Sequence, residues 1–413
     1  MLKDIYNKAP LILIALLPIG LLISSGVSEL LCILIVMFYI GHIIHKKDYF
    51  IKDNIYFKLL LTLWIYLIIN SIFSEKYQID EYSLRSISFI KYIFLIFAFG
   101  FYLNKNQNLE FILFFWTLVT SIVGFDIFYE HFVGKNILGF ESPHPSRIVS
   151  FLRKELKIGN FILGFCFITA SYLFCKSKIK SISFLIYSYL FFLILILSIY
   201  LTGERSNSIR ATVCLIIFFV LSKPKILKYK NLFIIAAVAS IITLFLFSDK
   251  IQNRFNGQVL APIKKEGIIK IFKDSEYGAH YDTSIKIFKS YPILGVGNKN
   301  FRNECAKEKY YNSSYKFTEG RCTTHPHQIY LEFLSEHGLI GTMIILGIIF
   351  IILYKNIKIY KKNNNLIHLA SIIFVAQTFL PIIPSGSFFV SWTATIFWIN
   401  FAIMIRFALQ KSN

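Results

Sequence analysis

Apolar runs of the length needed to cross a hydrocarbon core recur along this chain of 413 residues. That recurrence excludes an ordinary water-soluble fold, because 55% of the residues are apolar and only 16% carry a charge. The pattern predicts an all-α polytopic membrane protein with twelve spans, at about 9–25, 28–44, 56–73, 86–103, 109–129, 159–175, 182–202, 208–222, 231–248, 338–355, 365–382 and 388–408. Several runs are short and need tilt or protein neighbours to fit. The first follows Lys3 and Lys8, as a signal peptide would. No small-residue cleavage site succeeds it and many spans do, so it reads as a retained first helix.

The net charge of +21 would suit a nucleic-acid binder, but its placement does not. Lysines crowd one set of alternate short loops: Lys46, Lys47 and Lys52; Lys105; Lys176, Lys178 and Lys180; Lys223, Lys225, Lys228 and Lys230; Lys355, Lys358, Lys361 and Lys362. The opposite short loops hold little beyond Lys76, Arg85 and Arg205. The positive-inside rule then puts the lysine-rich loops and both termini in the cytoplasm, and segments 130–158 and 249–337 outside. Residues 1–248 form helices one to nine, 249–337 an outward loop domain with short helices, and 338–413 the last three helices. With no internal repeat and one large outward insert, the expected partners are membrane lipids and an outer-face substrate. Nucleic acid and alternating-access transport fit poorly.

The polar stretches carry the chemistry. In 322–341, Pro326 suits a first helical turn, Thr323 or Thr324 a cap, and Gly338 a helix end. His327 would then open a short helix and share a face with Leu331 and Leu334. In 125–160, Asp126 and Glu130 lie one turn apart and Arg147 stands in a short polar stretch. In 201–210, Arg205 sits in a tight turn and Arg210 inside the next span, where an arginine needs a partner or a ligand. Residues 283–290 read as an amphipathic interfacial helix. The Gly295-Val-Gly297 that follows lacks the surroundings of a nucleotide fingerprint. Cys305 and Cys322 are the two cysteines outside the apolar runs, and an oxidising outer compartment would let them pair. His325 and His327 lack acidic or cysteine partners at metal-ligand spacing, so no metal is expected.

His327-Gln328, nine residues, then Gly338-Leu339-Ile340-Gly341 resembles the C-terminal signature of bacterial O-antigen ligases, much of it shared with O-antigen polymerases. The resemblance extends over about 120–400. It takes in Arg147 ahead of Phe151 and Gly159, the Thr202-Gly203-Glu204-Arg205 turn, and a Pro292 to Phe301 element read as a tight turn. It implies a helical glycosyltransferase of the C type in the bacterial inner membrane, with its active site facing the periplasm. The implied donor is a glycan on undecaprenyl pyrophosphate, and no cofactor is implied.

By the same resemblance His327 is the base, with His325 as alternative or orienting partner. Arg205 leads the pyrophosphate set, followed by Arg147 and Arg210. His280 stands where many relatives have a second arginine, with Lys286 and Arg302 as other candidates. The favoured reaction is transfer to lipid A–core in lipopolysaccharide biosynthesis. A polymerase acting on another lipid-linked glycan and a protein O-oligosaccharyltransferase are alternatives within the class. A lipid-linked glycan flippase is the alternative outside it, disfavoured because the charges cluster on the outer side.

Overall fold

The computed structural model describes residues 2–46, 53–73, 86–177, 181–223 and 229–410. Lys47, Lys52, Lys76, Arg85, Lys178, Lys180, Lys225 and Lys228, part of the orientation argument, lie outside the described residues. The principal helices are α1 (Leu2–Ile23), α2 (Ser25–Lys46), α3 (Ile55–Phe73), α4 (Ile90–Tyr102), α5 (Asn106–Val133), α6 (Ile158–Ser177) and α7 (Ile182–Leu201). They continue as α8 (Arg205–Leu221), α9 (Lys230–Phe247), α10 (Glu276–Ser290), α11 (Ile329–Asn363), α12 (Leu366–Gln377) and α13 (Ser391–Leu409).

A helix stands at each expected apolar run. Eight of them, α2, α3, α5, α6, α7, α9, α11 and α13, are long and apolar enough to cross a membrane. The apolar parts of α1, α4 and α12 are shorter, and α8 has 17 residues. Apolar character places the helices radially. The spans α6 and α13 are each 89% buried, apolar on every side and surrounded by protein, whereas α9 is only 11% buried. Rim side chains such as Phe132 and Phe247 are bare, as a lipid-facing surface requires.

At one end of the bundle a buried arginine is bonded mostly by backbone carbonyls, with its Nη1 left without a partner among the described residues. Arg406 of α13 is fully buried and donates to the carbonyl oxygens of Leu103 and Asn104 and to Asn106 Oδ1. It therefore closes the C-terminal end of α4, whose last carbonyls have no helical partner.

The loop 134–157, the short helices of 249–273, α10, the loop 291–328 and the segment 378–390 gather at the other end. Two glycine motifs interlock there. Gly338 adopts φ 60° and breaks α11 into an outer piece and a long inner one. The turn 291–297 fills the gap. Val296 N donates to Ser335 O (3.0 Å) and Gly297 N to Glu336 O (2.8 Å), while Leu339 N donates to Pro292 O (2.8 Å). Groups orphaned by the break are thus bonded by the turn. A Cβ on Gly338 would lie 2.3 Å from Ile293 O, so no side chain fits.

Three local expectations need correcting. The helix starts at Ile329, not at His327, and its cap is Gln328, whose Oε1 accepts from Leu331 N at 2.8 Å. Thr323 and Thr324 instead bond His325. His327 therefore shares no helical face with Leu331 and Leu334. It stands outside the helix at φ 57°, a left-handed conformation uncommon for a residue with a Cβ. Finally, the expected helix at 283–290 begins at Glu276, capped by Ser275 Oγ, and packs on α11, with Ser284 Oγ donating to Leu331 O at 2.9 Å.

Candidate active site

Cys305 and Cys322 form a disulfide, with Cα atoms 5.2 Å apart. The bridge sits in a small core with Ile287, Val296, Phe301 and Tyr310. It tethers the chain three residues before His325. From there the loop is led back to the bundle: Ser385 N donates to His327 O (2.8 Å) and His325 Nε2 lies 3.3 Å from Ser385 O.

Three histidines meet at this point. The ring centroid of His327 lies 4.2 Å from that of His325 and 5.4 Å from that of His280. His325 and His280 are buried and engaged. His325 Nδ1 lies 2.9 Å from Thr324 Oγ1, and His280 Nδ1 lies 3.1 Å from Arg321 O. His327 is half-buried, and among the described residues neither of its ring nitrogens makes a hydrogen bond. Burial, and then the neighbouring His280, brings its pKa down to about 4. Burial and His327 bring His325 down to about 3. At neutral pH both rings are uncharged, and of these two only His327 has ring nitrogens without a hydrogen bond among the described residues.

A cationic group lies on the far side of α10. Gly203 adopts φ 69°, and a Cβ there would lie 2.4 Å from Ser146 O, so the Arg147 loop can rest directly on the Thr202–Arg205 turn. Arg147 Nη2 donates to Leu156 O and lies 3.9 Å from Glu204 Oε1. Glu204 Oε1 also accepts from Gly159 N (2.8 Å), and its Oε2 accepts from Asn207 (2.5 Å). Burial pushes Glu204 up to about 7 despite these donors. Glu204 thus faces Arg147, not Arg205. Among the described residues the Arg205 guanidinium makes one long contact, to Arg254 O at 3.4 Å.

Arg254 carries no motif in the sequence, yet its Nε donates to Gly203 O (3.0 Å) and its Nη1 to Gln258 Oε1 (2.6 Å). Burial, then Arg205 and Arg147 beside it, lower its pKa to about 10. Three arginines against one carboxylate leave positive charge to be neutralised by a ligand.

Tyr277 and Tyr281, one turn apart on α10, connect the two groups. Tyr277 interacts electrostatically with Arg205 and Arg254, and its ring lies 5.9 Å from His327. Tyr281 Oη donates to His327 O (3.5 Å) and interacts with Arg210. Neither tyrosine nor Arg254 was evident in the sequence; the only available signal was the spacing of the tyrosines around His280.

The remaining candidates have other places. Arg210 is buried inside α8, with Nη2 3.4 Å from Pro384 O. Lys286 pairs with Asp282 at 2.8 Å, and Arg302 Nη2 lies 3.4 Å from Thr324 O. Asp126 and Glu130 hold the 134–152 loop, accepting from Ile137 N (2.8 Å) and from Val149 N (3.1 Å) and Ser150 N (2.6 Å).

Residues 190–346 match the O-Antigen ligase family (Wzy_C), a stretch that holds the three histidines, both tyrosines, Arg205, Arg210 and Arg254. The match supports the O-antigen ligase and polymerase superfamily for this part of the chain. No curated protein matches it. Arg147 lies outside the matched residues and is joined to them by Glu204 and Gly203. An O-antigen ligase family member works on lipid-linked glycans within a membrane, and the multi-pass helical fold suits that setting.

Proposed function

We propose that this protein is an O-antigen ligase, moving a glycan from undecaprenyl pyrophosphate to a hydroxyl of lipid A–core on the periplasmic face of the bacterial inner membrane, with both termini in the cytoplasm. The observation that carries the reading is the open, uncharged His327 held by α10 between Arg205 and Arg254 on one side and Arg210 on the other.

In this reaction the acceptor oxygen bonds to the anomeric carbon of the donor sugar as a ring nitrogen of His327 takes its proton. The bond from that carbon to the pyrophosphate oxygen breaks, and the carrier leaves as the pyrophosphate anion. Arg205, Arg254 and Arg147 face the charge that grows on the leaving oxygen, and guanidinium forks match phosphate oxygens in pairs. The donor's own negative charge beside His327 raises its affinity for a proton, which a base depressed by burial needs. His325 and His280 position the ring and keep the pocket from water.

Complementation of a deletion strain tests this. Wild type restores the long lipopolysaccharide ladder, while His327→Ala leaves long glycan on the lipid carrier. Core bearing a single repeat unit in the deletion strain would instead make the protein a polymerase. A normal ladder from membrane-inserted His327→Ala would remove His327 as the base.

A further inference from the structure

The helix over 283–290, which the sequence marked as interfacial, is not free to lie in a membrane surface, because it packs on α11. The segment just before it is free. From Asn253 to Lys273 the chain winds through short helical pieces, among them Ala261–Glu266 and Ile268–Lys273, and no residue in it is buried. The adjacent Ile268 and Ile269 are 67% and 72% exposed, and Leu260 and Phe272 are exposed as well. Apolar side chains bared together in this way call for a cover.

Position and charge identify that cover. The segment follows α9, the span least covered by protein, whose last residues Leu246 and Phe247 are bare. It therefore starts where that helix leaves the hydrocarbon. It carries Arg254, Lys264, Lys265, Lys270 and Lys273 against one acid, Glu266, which pairs with Lys270 at 3.2 Å. Bare isoleucines interleaved with lysines at the mouth of a span are the composition of a segment that lies among anionic headgroups. Gly267, at φ 81°, joins the two short helices, and a Cβ there would meet nothing within 4 Å, so the bend projects away from the protein. Only the ends are tied down. Arg254 Nε donates to Gly203 O (3.0 Å), the Phe272 ring lies 5.7 Å from that of Tyr281, and Lys273 O accepts from Lys316 N at 3.3 Å.

We propose that residues 256–273 are a surface anchor seated on anionic phospholipids of the adjoining leaflet, with Leu260, Ile268 and Ile269 among the upper acyl chains and Lys264, Lys265 and Lys273 on the lipid phosphates. The partner is a bilayer surface of net negative charge. Its recognition needs no particular headgroup beyond the phosphate and holds whichever reaction the protein catalyses. Because the anchor begins just after Arg254 and ends against Tyr281, both of its ends reach the candidate active site.

The test places the full-length protein in lipid nanodiscs of phosphatidylcholine, with or without phosphatidylglycerol, brominated near the headgroup end of the acyl chains. Ile269→Trp supplies the reporter, read as the emission it adds to that of the native protein. In discs containing phosphatidylglycerol the added emission should fall by about half, as for a ring seated at the acyl boundary. In phosphatidylcholine alone the quenching should be about twofold weaker, since the lysines then lose their counter-charge. Lys264→Gln, Lys265→Gln and Lys273→Gln together should abolish the difference between the two lipids. Leu246→Trp, at the lipid-facing end of α9, should be quenched in both discs and in the glutamine variant, which shows that the protein is inserted.

An unquenched Ile269→Trp beside a quenched Leu246→Trp would overturn the anchor. If that unquenched emission also moved to the blue as protein concentration rose, a second copy of the chain would be the cover instead. Equal quenching in both lipids, indifferent to the glutamines, would overturn the assignment to anionic lipid.

Discussion

Arg406 and Arg205 are both arginines at helix ends in a membrane bundle, and they are treated in opposite ways. Arg406 is buried among carbonyl oxygens at the inner end, where it completes α4. Arg205, at the outer end, has one long contact and stands beside Arg254 and Arg147. The difference teaches that burial alone does not mark a functional arginine. On the reading proposed above, what sets Arg205 apart is a nearly unbonded guanidinium in a region already rich in positive charge, since Arg406 too leaves its Nη1 without a partner among the described residues. The same contrast separates histidines: both ring nitrogens of His368 are engaged by Asn363 and Asn356, while those of His327 are open.

The largest expected effect is at the open histidine. His327→Ala should reduce glycan transfer by about 10²–10⁴-fold, the usual worth of a general base, with membrane level and Tm unchanged. A loss of Tm instead would place His327 with the structural residues.

Next come the arginines. Arg205→Ala and Arg254→Ala should each reduce transfer by about 10²–10³-fold. Arg205→Lys should restore only part of it, since an ammonium cannot fork. Arg406→Ala should do the converse, lowering stability by about 1–3 kcal/mol by leaving the α4 carbonyls unbonded while the rate per folded molecule holds. If both arginines changed Tm and rate alike, the distinction between them would fail.

The disulfide sharpens the comparison more gently. With a separation of 17 residues, Cys305→Ser or reduction should cost about 3 kcal/mol. The loss should appear in Tm and, through the His325–His327 loop, in transfer rate.

A further test concerns pH. His327 has a folded pKa of about 4 against 6.5 for an exposed histidine. The unfolded chain therefore binds more protons between those values, and stability falls as pH drops from about 6.5 to about 4. In kcat/KM, which reports the free enzyme, the acid limb should lie well below 6.5. A limb at or above 6.5 would mean that the ring is solvated.

Much of this molecule is legible locally. Apolar runs mark the helices, because a segment in lipid must satisfy its own backbone and so declares itself by composition. His327, Arg205 and the two cysteines outside the apolar runs were visible because each stands in a polar stretch of an apolar chain. Other residues were hidden for a definite reason. Arg254 reaches the site only because its side chain folds back onto Gly203, and Tyr277 only because α10 packs between the arginine and histidine groups. The cap at Gln328 was not legible because His327 ahead of it takes a left-handed φ and is bonded by Ser385, 58 positions away in the sequence.

By itself, then, the sequence determined the helical membrane class, the placement of the apolar helices and the chemical types gathered at one end. Those follow from hydropathy and residue chemistry, which act over one or two turns. Only the tertiary structure decided which arginine is bonded and which is open, which histidine presents a nitrogen, and that the glycine turn 291–297 closes the break at Gly338. Those outcomes depend on whether a donor meets an acceptor across hundreds of residues, and no short-range pattern encodes that meeting.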